Sequence, residues 1–141
     1  MVLVDSSIWI EASRRTGDLG VKLALNGLLD EYEATMCSPV RLEVLGGARK
    51  DERLKMELQF SCLPYIRAEE RDYIEAVKNA WKLQETGITV PWNDLLIMTI
   101  ARRLGCRVYA QDKHFTAMSA PLGVPLYKPG YGGKYEPEAE G

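Results

Sequence analysis

Four carboxylates stand far apart in this 141-residue chain, yet each falls just after a strand or near the start of a helix: Asp5, Glu43, Asp94 and Asp112. Asp5 ends the apolar run VLV (2–4), and Asp112 follows CRVYA (106–110). Glu43 lies about one turn into the helix after ATMC (34–37), while Asp94 opens an apolar helix, where the macrodipole favours a negative charge. In a parallel sheet all four collect at the edge formed by the strand carboxyl ends, which is where open α/β sheets bind ligands. Carboxylates so close would repel one another and raise each other's pKa unless a cation neutralised them. An oxygen-only donor set, with no clustered His or Cys, selects a hard ion, Mg²⁺ or Mn²⁺. Such an ion activates water and stabilises a phosphorane-like transition state. Taken singly, Asp5 and Asp94 are ordinary helix-start acids, Glu43 is a helix residue and Asp112 a loop acid. Only their shared placement points to chemistry.

The elements that must position them are legible in the apolar patterning. VLV, ATMC, LPYIR (63–67), CRVYA and VPLY (124–127) read as about five strands. Ser6 and Ser7 are candidate N-caps for a helix running to Arg15, and a second helical pattern covers 19–32. SPVRLEVLGG (38–47) offers Ser38 as a cap and Pro39 as a start signal, with Gly46 and Gly47 suggesting close packing or a break. Further helices are expected over 51–60, over 69–86 with Tyr73, Val77, Ala80 and Trp81 three or four apart, and over 93–105. Strands separated by helices imply a parallel sheet with helices on both faces. The tail KPGYGGKYEPEAEG (128–141) has no apolar period and reads as an arm extending from a domain of residues 1–127.

Composition narrows the function classes. With 46% hydrophobic and 27% charged residues the chain is not disordered, and at a net charge of −2 it is not a generally basic nucleic-acid binder. No run approaches the roughly 18 apolar residues of a membrane span. Cys37, Cys62 and Cys106 are widely spaced without a CxxC pair, as in reduced cytoplasmic proteins. The one histidine, His114, reads as structural rather than as a general base, and the three tryptophans as core or interface residues. Arg102 and Arg103 are most simply solvated helix ends, with a phosphate-gripping role as the alternative.

With these residues in place, the chain resembles the PIN-domain ribonucleases, and among them the VapC-type toxins of toxin–antitoxin pairs. The motifs are VDSSIWIE, SPVRLEVLGG, VPWNDLLIMTIARRLG and VYAQDKHF, in that order along about residues 2–127. The resemblance implies a PIN-like fold and a Mg²⁺- or Mn²⁺-dependent endoribonuclease that cleaves RNA phosphodiester bonds by a metal-activated water. It also implies a centre of Asp5, Glu43, Asp94 and Asp112, with the Ser7 hydroxyl in support. Family members usually form homodimers and are held inactive by a cognate VapB-type antitoxin whose C-terminal segment enters the active-site groove. One departure is Ala110, where the family often has Thr two residues before the last aspartate. Two alternatives have weaker support. A phosphotransfer enzyme of the haloacid-dehalogenase type wants a second acid two residues after the first, where this chain has Ser7. A non-catalytic module holding a structural ion could afford to lose an acid, and none is lost.

Overall fold

All three residues of β1 (Val2–Val4) are fully buried, as a parallel strand covered on both faces must be. In this computed structural model, which describes residues 1–138, β1 pairs in parallel with β2 (Ala34–Cys37) on one side and β4 (Arg107–Tyr109) on the other. β2 carries the two-residue β3 (Tyr65–Ile66), giving the strand order β3-β2-β1-β4. The chain thus moves outward from β1 to β3 and then returns to the far side of β1. That reversal opens a crevice at the carboxyl ends of β1 and β4.

The helices are α1 (Ser6–Ser13), α2 (Leu19–Asp30), α3 (Ser38–Gly46), α4 (Arg53–Ser61), α5 (Glu70–Glu85), α6 (Trp92–Leu104) and α7 (Lys113–Leu122). α6 is the central one. Its residues from Asp94 to Ala101 are all buried, and Gly105 ends it with φ +65°, a left-handed conformation that glycine adopts without strain.

Three expectations need correction. First, α7 is a helix that sequence patterning alone left unassigned, although Phe115, Met118 and Leu122 recur on its buried face. Second, VPLY forms no full strand, so the sheet has four strands among the described residues. Residues 125–127 flank Val108 through one isolated parallel bridge, with Val108 N–H donating to Pro125 O at 3.1 Å and Tyr127 N–H to Val108 O at 2.8 Å. Pro125 has no N–H to extend a ladder. Third, residues 128–138 do not project as an arm. Gly133 lies so close to α2 that a Cβ on it would come within 2.7 Å of Leu23 Cβ. The Tyr135 ring stacks on Tyr127 at 6.1 Å, and Arg107 both covers Tyr127 at 5.0 Å and donates to Glu136 O at 3.0 Å. Residues 139–141 lie outside the described residues.

Candidate active site

Asp5 follows β1 directly and is the N-cap of α1, a place the sequence reading gave to Ser6 or Ser7. One of its oxygens, Oδ2, accepts from Ser7 N–H at 3.1 Å and from Ser7 Oγ at 2.7 Å. The other, Oδ1, is buried and has no hydrogen-bond partner among the described residues. Capping and metal ligation are therefore not rivals at this residue, because each can use its own oxygen. Ser7 Oγ also accepts from Gln111 N–H at 3.2 Å, which ties the loop after β4 to the end of β1. The hydroxyl missing at Ala110 thus has a neighbour, in Ser7, that bridges this loop to Asp5.

Glu43 reaches the same crevice from α3. Ser6 Oγ donates to its Oε2 at 3.1 Å, and the Asn93 side-chain amide donates to its Oε1 and, at 3.3 Å, to Pro39 O. Asp94 enters from the first turn of α6. Asp112 caps α7 by accepting from His114 N–H at 2.9 Å. Ligand oxygens of Asp5, Glu43 and Asp94 all lie within 4.8 Å of one another, as do ligand atoms of Asp94, Asp112 and His114. Asp94 is the hinge between the two groups. The four predicted acids converge, and Ser7 sits behind Asp5.

Three further residues belong to the site. Ser6 and Asn93 each carry a plain signal, a short polar side chain beside a predicted acid, but their service to Glu43 needs the packing of α1, α3 and α6. His114, read from sequence as structural, stands with Nε2 3.7 Å from Asp112 Oδ1. By contrast, Arg102 and Arg103 are engaged by side chains of α5. Arg103 grips Asp72 on α5 through two nitrogens at 2.6 and 2.9 Å, and Arg102 donates to Asn79 Oδ1 at 3.2 Å. Cys37 and Cys106 are buried, Cys62 is exposed, and all three are free thiols.

Electrostatics favours a cation here. Asp5 is 3% exposed and Asp94 9%. Burial raises the Asp5 carboxyl, against the pull of its Ser7 hydrogen bonds. Burial and then the charges of Asp5, Asp112 and Glu43 push Asp94 from an ordinary 3.8 up to about 6. The orphaned Asp5 Oδ1, the convergent oxygens and the suppressed ionisation fit a hard divalent ion, which Asp5, Glu43, Asp94 and Asp112 could hold.

A thermal melt checks this directly. A carboxyl raised in the fold contributes its full stability below its unfolded pKa and loses it as pH rises through about 6. The metal-free protein should therefore melt lower at pH 7.5 than at pH 5. Mn²⁺ should raise the melting temperature by several degrees at pH 7.5 and by much less at pH 5, where protons compete for Asp94. Melts that ignore both EDTA and Mn²⁺ at either pH would mean that the carboxylates hold no ion tightly.

Comparison with known proteins bears on the family and the fold. A family model described as PIN domain matches residues 2–121. The VapC ribonuclease Mb1587 of Mycobacterium bovis and the ribonuclease VapC11 of Mycobacterium tuberculosis are each 31% identical over 124 residues, covering 84% of this chain and 92% of the relative. Among solved structures, VapBC2 from Rickettsia felis, bound to a DNA fragment from its promoter, superposes with a TM-score of 0.73 at 19% identity, over 90% of this chain and 98% of the other.

Proposed function

This chain belongs to the PIN-domain family and, within it, to the VapC ribonucleases, and from that premise we propose that its four convergent carboxylates hold Mg²⁺ or Mn²⁺ and cut RNA internally. The observation that carries the proposal is the convergence of ligand atoms of Asp5, Glu43, Asp94 and Asp112, with the Asp5 Oδ1 buried and without a hydrogen-bond partner among the described residues. A bound ion of this kind would supply a water of lowered pKa and offset charge on the phosphoryl oxygens. The protein's own contribution is orientation. Ser7 fixes Asp5, while Ser6 and Asn93 fix both oxygens of Glu43. In such a site a displacement of about 1 Å can cost about 100-fold in rate. His114 lowers the pKa of Asp94, partly offsetting the acids around it.

The chain acts as the toxin of a cytoplasmic pair, restrained by a VapB-type antitoxin. An inserted Arg or Lys would pair with Asp5, Asp94 and Asp112 and take the place of the ion. Complexes such as VapBC2 support that partner class. A homodimer is part of the same proposal, and the exposed apolar face of α5 and α6, with Trp81 at 60% and Trp92 at 69% exposure, supports it.

Expression alone should arrest growth, and co-expression with the small open reading frame beside its gene should relieve the arrest and yield a co-purifying complex. The purified protein should run as a dimer by light scattering and cut total RNA with Mn²⁺, at sites mapped by sequencing new 5′ ends. A soluble, folded protein that neither cuts RNA nor slows growth would overturn the ribonuclease assignment to this site.

A further inference from the structure

Among the chain's ten arginines, two groups of three contrast. Arg102 and Arg103 are held by Asn79 and Asp72, and Arg107 lies on Tyr127. Arg14, Arg15 and Arg49 are different: all three are exposed and all three line one cleft of about 400 Å³ between α1, the end of α3 and α4. Glu43 is a wall of that cleft as well as a member of the acidic cluster, so the cleft borders the candidate active site at that residue. Gly47, one of the two glycines whose place in the α3 sequence called for close packing, lines it too and adds no side chain to the wall.

We propose that this cleft is the track that binds RNA phosphates beside the scissile bond, with Arg14, Arg15 and Arg49 as its cationic contacts. The inference rests on the ribonuclease reading above. A centre of four carboxylates repels a phosphodiester, and a chain of net charge −2 offers no general attraction to compensate, so cations must be supplied locally. Among the described residues, Arg14 and Arg49 each pair with one half-buried glutamate three residues away in sequence, Glu11 at 3.3 Å and Glu52 at 2.7 Å. Surface pairs of this kind are worth only about 0.2–1 kcal/mol, so a phosphate can displace them. Arg15 makes no ion pair among the described residues. Each guanidinium can bind a phosphate through two parallel N–H groups.

The test uses the full-length protein, a labelled single-stranded oligoribonucleotide of mixed sequence for binding, and total RNA for cleavage. In R14A/R15A/R49A, Kd and KM should each rise by an order of magnitude or more near 100 mM salt. The dependence of log Kd on log salt should flatten by about 2, since each lost phosphate contact removes about 0.7. R14K/R15K/R49K, which keeps the charge, should retain most of the salt slope. Its behaviour guards against a triple alanine variant that simply misfolds. If the wild type cuts RNA while the alanine variant keeps its Kd and slope, the track is wrong and the nuclease stands. If the alanine variant binds RNA normally but no longer retains the antitoxin, the cleft is a protein-docking site instead. A wild type that cuts no RNA overturns the nuclease reading itself.

Discussion

Asp94→Asn should lower RNA cleavage by about three orders of magnitude while raising the melting temperature of the metal-free protein. Both effects follow from one charge. Asp94 joins the two halves of the acidic cluster, so losing its negative oxygen weakens the hold on an ion from both sides. Removing several kcal/mol of transition-state charge stabilisation corresponds to about 10³-fold in rate. The same carboxylate is 9% exposed and faces Asp5, Asp112 and Glu43, so the metal-free fold carries a cost that the amide removes. Asp5→Asn should behave alike, because an amide oxygen can still accept from Ser7 and leave α1 capped. Cleavage assays with Mn²⁺ and melts with EDTA on the same preparations check both signs. Wild-type cleavage by either variant would remove that residue from the ligand set, and a lowered metal-free melting temperature would mean that its carboxylate is structural.

Arg103→Ala should cost about 3 kcal/mol of folding stability, roughly a 10 °C fall in melting temperature for a chain of this size. Asp72 is 1% exposed and depends on two hydrogen bonds from Arg103, with Glu69 N–H on Oδ2 as its third at 2.9 Å. Burial alone would raise the Asp72 carboxyl, but Arg103 and the Glu69 N–H hold it below its ordinary value. Its stabilisation is therefore complete above the ordinary carboxylate pKa and is lost as pH falls through the lowered one. Urea unfolding should accordingly show a gap between wild type and variant that is wide at neutral pH and narrows in strong acid. A gap under about 1 kcal/mol at neutral pH would mean that the carboxylate finds other partners once the arginine is gone.

The parts of this molecule that sequence made legible are those fixed by burial. β1, β2, β4 and α6 are apolar because both faces are covered, and the four acids could be placed because each follows a buried strand, lies one turn into the helix after one, or opens the buried helix α6. What escaped was fixed by long-range partners. Arg103 looked like a solvated helix end because Asp72, 31 residues away, shows nothing in sequence of the buried turn it occupies. Asn93 reaches Glu43 across 50 residues, and no local pattern announces that hydrogen bond. The tail, polar and aperiodic, gave no sign that Tyr135 would stack on Tyr127 or that glycines 27 and 133 would let its backbone approach α2. α7 was overlooked for a local reason, since its apolar stripe is short and ends in Pro121 and Gly123.

The parallel pairing of β1 with β4 has a bearing on the order of synthesis. β1 leaves the ribosome well before β4, with Asp5, Ser6 and Ser7 behind it, but its partner on one side is Arg107–Tyr109. The link from Ser7 to Gln111 closes a loop of 104 residues. At about 5–20 residues per second, the first acid waits several seconds or more for the last. Contacts so distant along the chain form late. A nascent chain therefore holds no assembled acidic centre until Asp112 has emerged, which leaves the ribosome making it an interval before any nuclease exists.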